Sequence, residues 1–95
     1  MKISVGDKFN GWRIDGIQPL IATKDGFKET SHFEKADYFI FRFSKFFFER
    51  GKKATTLMRI SGDLFEDLPE KTVNNFIIET LKREEKKLLS ENLKQ

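Results

Sequence analysis

The chain has no cysteine, one histidine, two prolines and no apolar run near the ~20 residues that a membrane-spanning helix needs. Each shortage excludes something. Without cysteine there is no disulfide framework and no thiolate-held zinc or iron–sulfur centre. A single histidine, His32, cannot build a His-rich metal site. Phosphate-cradling glycine loops, the G-x-S-x-G elbow and the H-E-x-x-H helix motif are also missing. Residues 1–7, MKISVGD, contain no apolar core of a secretion signal, so a cytoplasmic address and no membrane partner are the expectation.

What remains is 95 residues, enough for one domain spanning 1–95 and too few for two separate cores. The composition is 38% hydrophobic and 35% charged, with eleven Phe, so a few large rings must supply much of the burial. The net charge of +3 is ordinary for this size. Its distribution is uneven. Arg50, Lys52, Lys53 and Arg59 form a basic focus against Glu49 alone, and Asp63, Glu66, Asp67 and Glu70 follow as an acidic one. A charged hairpin tip followed by an acidic helix start accounts for both, the acids favoured by the helix dipole.

Turn chemistry divides the first half. Asn10-Gly11 and Lys24-Asp25-Gly26 are tight-turn signals on either side of a strand over Trp12–Thr23. Gly16 and Pro19 interrupt that strand, which points to a bend, a bulge or an edge position. Residues 27–33 read as a weak polar strand or an ordered loop. The strongest pattern is Asp37–Arg50, where Phe39, Phe41 and Phe43 alternate with Tyr38, Ile40 and Arg42. Strict alternation would carry the Phe face on through Lys45 and Phe47. An inward lysine is costly, so the pattern predicts a bulge at Ser44-Lys45, with Phe46 and Phe48 inside and Lys45 outside beside Arg42. Residues 50–53 then turn, and Ala54–Ser61 returns as a strand rich in β-branched residues.

After Gly62 the period changes. Residues 63–66 suggest one helical turn. Asp67-Leu68-Pro69-Glu70 has helix-start chemistry, with Asp67 able to cap and Pro69 tolerated in the first turn. Val73, Ile77 and Leu81 form one stripe, which continues onto Glu84 and Glu85 before Leu88 and Leu89. A helix of this length, roughly 36 Å, would overhang a small globule, leaving Leu88, Leu89 and Leu93 to find a second contact. The expected fold is α+β: an antiparallel sheet of about four strands over 12–61 and one C-terminal helix over 69–92, in the order β-β-β-β-α. A small β-barrel with an appended helix is the alternative.

No catalytic constellation is present, and no metal or cofactor is expected; acidic pairs such as Glu66-Asp67 lack the spaced oxygen ligands of a cation loop. The expected role is a non-enzymatic binding protein acting on another protein or on a second copy of itself. Leu88, Leu89 and Leu93 are its interface candidates. The alternative is single-stranded DNA or RNA, held by rings that stack and cations that follow the phosphates. Tyr38, Arg42, Lys45, Phe47, Arg50, Lys52, Lys53 and Arg59 are the candidates for that surface, with Trp12 a further exposed ring. Exposed rings separated by Arg and Lys would favour nucleic acid, and an apolar face closed by a second subunit would favour assembly.

Overall fold

A computed structural model describes the backbone of residues 3–47 and 51–93, with the side chains of 64, 65 and 91–93 excepted. Five antiparallel strands are followed by two helices: β1 (Lys8–Phe9), β2 (Trp12–Thr23), β3 (Gly26–Glu29), β4 (Tyr38–Phe47), β5 (Lys52–Ser61), α1 (Gly62–Asp67) and α2 (Glu70–Leu93). The sheet order is β1-β2-β4-β5, with β3 pairing β2 on the same side as β1. The sheet curls into a half-barrel without closing, so β5 remains an edge.

Turn chemistry fixes the hairpins. Asn10 at φ 52° and Gly11 at φ 83° form the two-residue link that sets Phe9 opposite Trp12. The predicted interruption of β2 is a bulge between Ile14 and Gly16, after which Ile17 pairs Phe41 and Pro19 pairs Phe39. The bulge expected in β4 is absent. Its register with β5 runs unbroken from Tyr38↔Ser61 to Phe47↔Lys52. Strict alternation therefore holds: Phe39, Phe41, Phe43, Lys45 and Phe47 point to one face, and Phe46, 50% exposed, points to the other. Phe48 lies outside the described residues.

The inner face packs on α2. Phe39, Phe41, Phe43, Trp12 and Ile14 form one core with Val73, Ile77 and Leu81, the stripe read from the sequence. Edge-to-face contacts, Phe9 on Phe43 at 6.4 Å and Trp12 on Phe47 at 6.1 Å, extend the ring packing. Asp67 closes α1 instead of capping α2, and the carbonyl of Pro69 accepts the amide of Val73 at 3.1 Å. Asp37 joins three segments: its carboxylate accepts the Ala22 amide, its own amide donates to Leu20, and its carbonyl accepts the Gly62 amide, each at 2.8 Å.

Candidate functional site on the outer sheet face

Alternation and register place Tyr38, Ile40, Arg42, Ser44 and Phe46 of β4 on the face turned away from α2. Lys53, Thr55, Leu57 and Arg59 of β5 lie on one side of them. On the other side are Arg13, Gly16, Gln18 and Leu20 of β2, and beyond these Phe27 and Glu29 of β3. Gln18, Arg42 and Leu57 at its centre are exposed.

At one end the Tyr38 and Phe27 rings meet edge to face with centroids 5.1 Å apart, and the Arg59 guanidinium lies 5.1 Å from the centre of the Tyr38 ring. Phe27 is 51% exposed. In the middle Arg42 lies over Gly16, where an added Cβ would stand 3.1 Å from a guanidinium nitrogen, so glycine here lets the arginine lie flat. Beside it a shallow hollow of about 300 Å³ is lined by Gln18, Glu29, Ile40, Arg42 and Leu57. Leu57 is 67% exposed, the highest of the large apolar side chains among the described residues. At the far end Asp15, carried out by the bulge, holds Arg13 at 3.3 Å and accepts the Ser44 hydroxyl. That hydroxyl, with Arg13 and Lys53 nearby, keeps the Asp15 carboxyl below its ordinary value against an opposing effect of burial.

The sequence candidates divide between the two faces. Tyr38, Arg42, Lys53 and Arg59 share the outer face. Lys45 does not lie beside Arg42; it points inward and its ammonium meets Glu85 of α2 at 2.5 Å, with the Asn10 carbonyl at 3.4 Å. Phe47 is also inward and half-buried against the core, Lys52 pairs with it in register, and Trp12 is fully buried rather than exposed. Arg50 falls outside the described residues. Phe27 and Phe46 are outer-face rings that the sequence reading missed: Phe46 was lost with the assumed bulge, and Phe27 lay in a segment too polar to assign a face.

Of the interface candidates, Leu88 packs against the protein's own core. Leu89 is half-buried beside Lys82, Glu85 and Lys86, and the side chain of Leu93 is outside the described set. His32 Nδ1 stands 3.6 Å from Glu34 Oε1 on a 3-10 turn (Phe33–Lys35), both side chains largely in solvent. Among the described residues no three His, Asp or Glu side chains converge as metal ligands, and no helix is long and apolar enough to cross a membrane. Compared with protein-family models, with curated proteins and with solved structures, the chain matches none.

Proposed function

We propose that the protein is a non-enzymatic binder of single-stranded nucleic acid and that the outer sheet face is its binding surface. One observation carries this reading. Exposed Phe27 and Phe46 and half-exposed Tyr38 share an open sheet face with Arg42, Lys53 and Arg59. Rings supply sequence-tolerant stacking, and cations between them track the phosphates. Among the described residues of the face the acids are Asp15 and Glu29, and Asp15 is occupied by Arg13 and Ser44. The test is fluorescence polarisation of a labelled 15-nucleotide oligo-dT against salt. If Arg42, Lys53 and Arg59 each neutralise one phosphate, log Kd changes with log salt at a slope of magnitude about 2. The triple change of these residues to Glu abolishes binding. Wild-type protein that ignores the oligonucleotide at low salt overturns the reading.

A second reading rests on a different feature. β5 is a ten-residue open edge with Leu57, 67% exposed, at its middle, a surface that another protein or a second copy of this chain could extend. Sedimentation velocity separates the two: Leu57→Lys lowers the association state if the edge pairs copies, and leaves a monomer unchanged if it does not.

A further inference from the structure

The outer-face hollow holds two opposite charges that do not meet. Arg42 comes from β4 and Glu29 from β3, and both line the same concavity with Gln18 between them on β2. Among the described residues neither has an ion-pair partner, so more than 4.0 Å separates guanidinium and carboxylate across the hollow. A carboxylate is an odd occupant of a surface meant for phosphates, since it repels them. It is a good acceptor for base N–H groups.

Resting on the reading above, we infer that this hollow selects guanine. A guanidinium asks for two adjacent acceptors and a carboxylate for two adjacent donors. Guanine alone among the bases carries both sets: O6 and N7 for Arg42, N1–H and the N2 amino group for Glu29. Thymine and uracil lack the paired donors. Cytosine offers the carboxylate one amino group, and adenine sets a donor beside N7 where an arginine needs an acceptor. Ile40 and Leu57 give the base plane an apolar contact, and Gly16 keeps Arg42 low enough to meet the base edge-on. A duplex would occupy the N1–H and N2 amino edge in pairing, whereas a single strand leaves it free for Glu29 along with the O6 and N7 edge.

The experiment is polarisation with oligo-dT carrying one central guanine, hypoxanthine or 7-deazaguanine, against oligo-dT itself. One guanine is expected to tighten binding at least about fivefold, the lower end for a bidentate pair. Hypoxanthine, without the N2 amino group, and 7-deazaguanine, without N7, each lose part of that gain. Glu29→Gln removes the preference and, having lost a negative charge, binds plain oligo-dT more tightly than wild type. Equal affinity for oligo-dT with and without guanine overturns the guanine inference and leaves the binding face standing. Absence of binding to every oligonucleotide overturns both.

Discussion

Lys45 sits on the helix-facing side of β4 with 23% of its side chain exposed, and Glu85 meets it with 19%. Charges this sheltered hold their place only when paired, and loss of one partner strands the other. Lys45→Met is expected to cost about 2 kcal/mol in urea unfolding, and Lys45→Met with Glu85→Leu to recover at least half of that. A double variant no better than the single would mean the two charges act independently. Both halves of this pair were legible in the sequence as misfits, a lysine on a Phe face and a glutamate on an apolar helix stripe. What a linear reading lacked was the distance between them. A bulge explains one misfit alone, whereas a forty-residue ion pair explains both. Asp15 supports a prediction in pH. Its folded carboxyl is held below the ordinary 3.8, so its contribution is complete above that value and is lost as pH falls through the lowered one. The stability gap between wild type and Asp15→Asn should thus be flat from pH 7 to 5 and close on further acidification; a gap that widens in acid would contradict the sign.

Elements followed period more faithfully than residues did. β2 and α2 were legible almost to their ends, because turn chemistry bounds the one and a clean 3.6-residue stripe defines the other. β1 escaped notice, since two residues carry no period, and Asp67 was misassigned because a capping signal also suits the end of α1. The stripe makes a paired test. Ile77, fully buried, should cost about 3 kcal/mol as Ala, whereas its neighbour Phe76, 50% exposed, should change stability by under about 1 kcal/mol. Comparable losses would mean that α2 is rotated from its described position. The junction of β5 and α1 offers another. A Cβ on Gly62 would stand 2.2 Å from the Ala36 carbonyl oxygen, at the point where Asp37 accepts the Gly62 amide. Gly62→Ala should lower stability by at least about 2 kcal/mol, read from the urea midpoint, and an unchanged midpoint would place that backbone farther away.

At the scale of the molecule, two layers, sheet and helix, pack within extents of 42 × 32 × 19 Å. One layer surface is spent on the core. The other carries rings and cations that the core does not need, and among the described residues no helix lies over them. Composition alone could not decide this: Phe39, Phe41 and Phe43 are core, Phe27 and Phe46 are not, and only the paired strands separate them. If the outer face is the binding surface, amide chemical-shift mapping with a 15-nucleotide oligo-dT reveals it residue by residue. Shifts confined to Gly16–Gln18, Phe27–Glu29, Tyr38–Phe46 and Lys53–Arg59 are the predicted result. Shifts centred on α2 around Leu88 and Leu89, or none at saturating oligonucleotide, would contradict it.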